Sequence, residues 1–232
     1  MATLTYLGFP LITVIFFSLF VRELRSAIKA TDWTEQKKKK TGSRIIITLL
    51  IWGLAVMVAS LSGYTGNFQI FPFNAMPMLL IPFITTIVLL FKTDIKTLAV
   101  HLNLKVITQL QVFRVFVEII LWLLFIENQL PKQMTFEGRN FDILAGITAI
   151  MAAYFFINNK RGMIIWNLFG LLLLMNIVTI ALLSMPTPFR VFHNEPPNII
   201  VTHFPYVFLP TFLVPLAYIL HFLSLKKLLI KS

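Results

Sequence analysis

Seven apolar runs of membrane-spanning length punctuate this chain, at residues 4–21, 45–62, 70–91, 106–126, 141–157, 164–184 and 206–225. About 20 residues of helix cross the roughly 30 Å hydrocarbon core of a bilayer. Lipid satisfies no backbone polar group, so each run has to close its hydrogen bonds within itself, as a helix. The expected fold is therefore all-α: a polytopic membrane protein with seven transmembrane helices, forming one bundle over residues 1–232. Only 12% of the residues are charged and 58% are hydrophobic. Soluble domains carry about a quarter charged residues, so that class is excluded. The first run has no basic segment before it and no small-residue cleavage site, and it is read as a retained helix.

The charges say which way the bundle sits. Of 20 Lys and Arg residues, segments 22–44, 92–105, 158–163 and 226–232 hold eight, three, two and three, while the opposite loops hold Lys132, Arg139 and Arg190. Cytoplasmic loops carry the excess of basic residues, which predicts an outside N-terminus and a cytoplasmic C-terminus. The net charge of +11 is thus a topology signal, and nucleic acid is not expected as a partner. The lysines at 37–40 are read as an orienting, solvated loop, with contact to anionic headgroups as the sharper alternative. Cysteine is absent, which removes disulfides, thiolate metal sites and a cysteine nucleophile.

The remaining cation is Arg114, inside the fourth run. Gln111, Arg114 and Glu118 stand at i, i+3 and i+7 and face one way on a helix. With a rise of about 1.5 Å per residue, Arg114 and Glu118 lie roughly 3 Å either side of the middle of that run. An intramembrane charge faces the bundle interior or a water-filled cavity and marks a functional site by default. Asp142 opens the fifth run with Arg139 just before it, so a chain of charge from Arg114 through Glu118 to Asp142 is one reading. An intrahelical Arg114 to Glu118 ion pair that fixes packing is the other. Asn167 shares a face with Gly170, which suits interhelical hydrogen bonding. His221 is read as a packing hydrogen bond, with proton shuttling as its alternative. His193, Glu195 and His203 have ligand chemistry, but at a spacing that matches no standard metal site. No metal and no cofactor are expected, and the usual hydrolase, metalloprotease and nucleotide motifs are absent.

Two internal similarities suggest a repeat. P-M-L-L-I-P at 77–82 in the third run pairs with P-T-F-L-V-P at 210–215 in the seventh. Ile-Trp opens the second and sixth near Trp52 and Trp166. Helices 1–3 and 5–7 would then be parallel repeats joined by helix 4, a 3+1+3 arrangement; chance alignment of apolar text is the competing explanation. This layout is similar in topology to the SWEET and PQ-loop transporters, although their Pro-Gln dipeptide is missing, and the resemblance carries no residue across. Q-V-F-R at 111–114, F-D-I-L-A-G at 141–146, W-N-L-F-G at 166–170 and F-L-V-P-L-A-Y-I-L-H at 212–221 resemble the text of uncharacterised bacterial multi-pass proteins. No activity follows from that likeness; the expected location is the plasma membrane, a bacterial inner membrane, crossed several times.

The expectation is a membrane protein that binds, and carries, a small polar or anionic solute in an outer-half cavity. Arg114 would supply the anion contact, Gln111 and Asn167 orienting hydrogen bonds, and Glu118 with Asp142 charge balance or proton coupling. The alternatives are an intramembrane enzyme on a lipid-borne substrate, with Glu118 or Asp142 as acid or base, and a structural subunit of a membrane complex. The balance between enzyme and non-enzyme leans toward the latter.

Overall fold

A computed structural model of the chain describes residues 2–230. Among these residues there are nine α-helices and no strand: α1 (Ala2–Ala30), α2 (Glu35–Leu61), α3 (Met76–Leu90), α4 (Thr93–His101), α5 (Leu104–Leu110), α6 (Phe113–Ile126), α7 (Ile143–Met151), α8 (Lys160–Leu183) and α9 (Val214–Leu229). α7 runs on through a π-helical turn, Ala152–Phe156, and α9 is entered through another, Leu209–Leu213.

Five helices are long and apolar enough to cross a membrane, or six if the bent pair α3 and α4 counts as one span. Two of the expected spans form shorter helices, the third and the fifth. The third run starts its α-helix only at Met76, because Pro72 and Pro77 punctuate its beginning and Pro77 stands in the first turn. Proline lacks the N–H that a helix interior needs but is tolerated there. The 15 residues of α3 rise about 22 Å. The chain then bends by 85° into α4, which buries Leu98 and Ala99 and exposes Asp94 and Lys96, a one-sided pattern suited to an interface. The fifth run makes a 14-residue apolar helix, Ile143–Phe156, about 21 Å long.

The core lies between α1, α6, α8 and α9. α1 presents Phe9, Ile12, Phe16 and Phe20 at helical spacing, and α6 answers with Phe113, Val117, Ile120 and Leu124, all buried. The two helices approach closely at Gly8, where an added Cβ would sit 2.3 Å from Ile120 Cδ1. Leu216, Leu220 and Leu223 of α9 fill the same core against Leu174 and Ile177 of α8. α2 stands apart, burying only Val56 and Ser60 and exposing Leu50, Ile51, Leu54 and Val58.

The helix ends are tied at both faces of the bundle. At the basic end, Lys37 pairs with Asp94 at 2.6 Å, Glu23 accepts from the Asn103 N–H at 2.6 Å, and Lys226 donates to the Leu90 carbonyl at the end of α3. At the opposite end the loops, which by composition read as polar outer segments, fold inward as a cap. Leu130, Gln133, Met134, Thr135 and Asn140 are buried in the loop before α7. Gln133 donates to Ser184 Oγ at 3.0 Å and Asn198 to the Ala181 carbonyl at 3.0 Å. Thr65 meets the Thr202 carbonyl at 2.5 Å. These loops can be buried because their polar groups find partners inside the protein.

Candidate functional site

The span Leu104–Ile126 is not one regular helix. Where α5 gives way to α6, Gln111 and Val112 bond back three residues, to Thr108 and Gln109, and Arg114 and Val115 do the same, to Gln111 and Val112. A tightened turn inside a helix often marks a functional position. Arg114 sits in this turn, and its side chain is 1% exposed.

Burying a guanidinium is tolerable only when its donors are met. Arg114 Nε donates to Asp142 Oδ2 at 2.6 Å and Nη2 to Oδ1, the two-pronged fit of guanidinium to carboxylate. Nη2 also reaches the Gly170 carbonyl at 3.1 Å, and Nη1 meets His221 Nε2 at 2.9 Å. Four of the five N–H groups of the side chain are thereby used. Of the two readings, the intrahelical Arg114 to Glu118 pair is corrected by this geometry: the guanidinium bonds to Asp142, at the entrance of the next helix.

His221 is read from its neighbours. An arginine only donates, so Nε2 must accept, and the ring proton sits on Nδ1. That N–H donates to Asn167 Oδ1 at 2.9 Å, while Asn167 Nδ2 donates to Ser224 Oγ at 2.9 Å and to the Met163 carbonyl at 2.7 Å. The packing hydrogen bond expected of His221 is thus present, and it continues a chain that runs from Ser224 through Asn167 and His221 to Arg114 and Asp142. Two glycines allow the approach. A Cβ at Gly170 would lie 2.4 Å from His221 Cε1, and one at Gly146 would lie 2.8 Å from the backbone nitrogen of Val115.

Glu118 is also 1% exposed, and it is held separately. Asn140 Nδ2 donates to Glu118 Oε2 at 2.6 Å and to the Met134 carbonyl at 3.0 Å, while Asn140 Oδ1 accepts from the Asp142 N–H at 3.0 Å. Asn140 therefore spaces the two carboxylates from within the folded-in loop.

Arg114, Glu118 and Asp142 line one end of a cavity of about 90 Å³. The rest of the wall is mostly apolar and comes from α3, α6, α8 and the last helix, including Met78, Leu121, Leu174 and Ile177. The cap loops roof it with Thr65, Met134, Val201 and Thr202. Of the five residues expected to form the site, these three face the cavity. Asn167 and Gln111 stand behind them: Asn167 holds His221, and Gln111 Nε2 donates to the Ala217 carbonyl at 3.0 Å, with its Oε1 buried and unpartnered among the described residues. Asn140, Ser224 and the Gly170 carbonyl complete the network without having been expected in it. Asn140 sits in a segment whose composition reads as solvent-exposed loop. Among the described residues, no group of three His, Cys, Asp or Glu side chains has the arrangement of a metal site.

No curated protein and no solved structure matches the chain. A family model does match residues 71–229, a segment that begins just before α3, ends with α9 and contains every residue of the network. On that match, the chain belongs to the family described as Domain of unknown function (DUF8737).

Proposed function

We propose that this protein crosses the plasma membrane of a bacterium seven times, with its N-terminus outside, and binds and carries a small polar-headed solute in the capped cavity. The observation that supports this reading most directly is the meeting of Arg114, Glu118 and Asp142 on the wall of one cavity within the apolar bundle. Buried charge of this kind is expensive and is found where ions or substrates pass. An anion would have to displace Asp142 to reach most of the Arg114 donors, so the polar form of the solute suits the site better than the anionic form. The basic residues gathered at one end support the orientation. The proline pairs at 77–82 and 210–215 support the 3+1+3 layout.

A subunit role is the second reading. It is favoured by α2, whose exposed apolar face suits a partner helix as well as lipid. The experiment that separates them starts from protein purified in nanodiscs, with co-purifying small molecules identified by native mass spectrometry and then tested for uptake into proteoliposomes. Ile177→Trp fills the cavity and should abolish both retention and uptake. Retention unchanged in a folded Ile177→Trp protein would defeat the solute reading, and a stoichiometric protein partner would favour the subunit.

A further inference from the structure

The network does not balance its charge. One guanidinium stands among two carboxylates, and Asp142 takes both prongs of Arg114. His221 contributes no positive charge, since its Nε2 accepts from Arg114. Glu118 is left with Asn140, a neutral donor, and among the described residues that bond reaches only Oε2. Yet Glu118 is 1% exposed. A carboxylate taken out of water without an opposite charge beside it either holds a proton or takes a cationic partner. The side chain that lacks one lines the cavity.

Resting on the solute-binding reading above, we propose that the cavity takes a small amphipathic monocation, an amine or ammonium head on a short apolar tail, with Glu118 as its charge partner. The head completes the neutrality of the Arg114, Asp142 and Glu118 group. The tail lies along Leu121, Leu174, Ile177 and Leu213, which offer only apolar contact. Size follows from volume: about 90 Å³ is smaller than the roughly 150 Å³ apolar cavity that takes up benzene, so the tail is a few carbons long. Selectivity has two parts. An anion of the same shape meets the carboxyl groups of Asp142 and Glu118, and a neutral molecule offers Glu118 no charge partner.

The test measures thermal unfolding of the full chain in nanodiscs against three probes of one shape: butylammonium, butanol and butyrate. Bound ligand raises the unfolding midpoint in proportion to its affinity. Butylammonium should stabilise with at least about 10-fold higher affinity than butanol, the scale of one charge-assisted bond in a buried site, and butyrate should not stabilise. Glu118→Gln should erase the preference while leaving weak binding of butanol. The comparison among probes on the unaltered protein decides the point even if that variant does not fold. Equal stabilisation by butanol and butylammonium would overturn the cation and leave the cavity reading standing. Stabilisation by butyrate alone would restore an anion site. No stabilisation by any of the three would overturn both the cation and the cavity as a binding site, and a proton would then be what neutralises Glu118.

Discussion

His221 Nε2 lies 2.9 Å from Arg114 Nη1, so the imidazole is held as an acceptor toward the guanidinium and as a donor, through Nδ1, toward Asn167. Both neighbours enforce the same tautomer, because Asn167 uses its amide hydrogens on Ser224 and Met163. Nitrogen NMR of histidine-labelled protein should therefore show, in the ring signals that vanish in His221→Phe, a neutral imidazole with the proton on Nδ1. Protonation of the His221 ring on Nε2 would contradict the network. His221→Phe should also cost about 1–3 kcal/mol of stability, since it strands Arg114 and Asn167.

Arg114 and Asp142 are worth more together than either is alone. Removing one leaves the other charged, buried and unpaired, so Arg114→Met and Asp142→Leu should each destabilise by about 3–5 kcal/mol. The double variant should recover most of that loss, because an apolar pair of similar volume costs no desolvation. Denaturant unfolding in detergent gives the four corners of the cycle. Additive losses would show that the pair does not act as a unit.

Gly170 is a spacing residue. A methyl group there would meet His221 Cε1 at 2.4 Å and the ring has no free side to retreat to, with Trp166 at 5.3 Å between centroids. Gly170→Ala should cost about 1–3 kcal/mol by overpacking and shift the His221 ring signals. Gly42→Ala is the matched control, since nothing lies within 4 Å of a Cβ there.

How much of this was legible in sequence depends on whether a residue's role is local. The facing of Gln111, Arg114 and Glu118 follows from helical period, and all three are buried as that period requires. The Arg114 partner is not local. Asp142 and Glu118 are both acids within reach in sequence terms, and the choice between them turns on how α7 is held against α6 at Gly146. Asn140 is harder still, because a run with Pro131 and Gly138 reads as solvent-exposed, and only the tertiary bonds of Gln133 to Ser184 and of Asn140 to Glu118 explain its burial. Likewise the helical extent of the third run is set by its prolines, which hydropathy does not register.

Pro215 has no N–H to offer the carbonyl of Thr211, four residues earlier, and Trp52 Nε1 of α2 donates to that carbonyl at 3.0 Å. The bond gives α2, otherwise lightly packed, a specific anchor on the last helix. Trp52→Phe should therefore destabilise by about 1–3 kcal/mol, the cost of an unmet buried acceptor. In a Pro215→Ala background the restored N–H can satisfy Thr211, and the same substitution should cost less. Equal losses in both backgrounds, measured by thermal unfolding, would show that Trp52 acts through its bulk alone.

Because the chain has no cysteine, its orientation can be read with single introduced thiols on an otherwise silent background. Lys132 is exposed in the cap and Lys39 is exposed at the basic end. If the basic end is cytoplasmic, a membrane-impermeant maleimide added to intact cells should label Lys132→Cys and spare Lys39→Cys until the cells are permeabilised. The reverse pattern would invert the topology, placing the cap and its cavity on the cytoplasmic side. Labelling of both sites in intact cells would mean that the bundle does not separate these two faces. The outcome also bears on the cavity, since the loops that roof it would then be the surface on which a solute is first met.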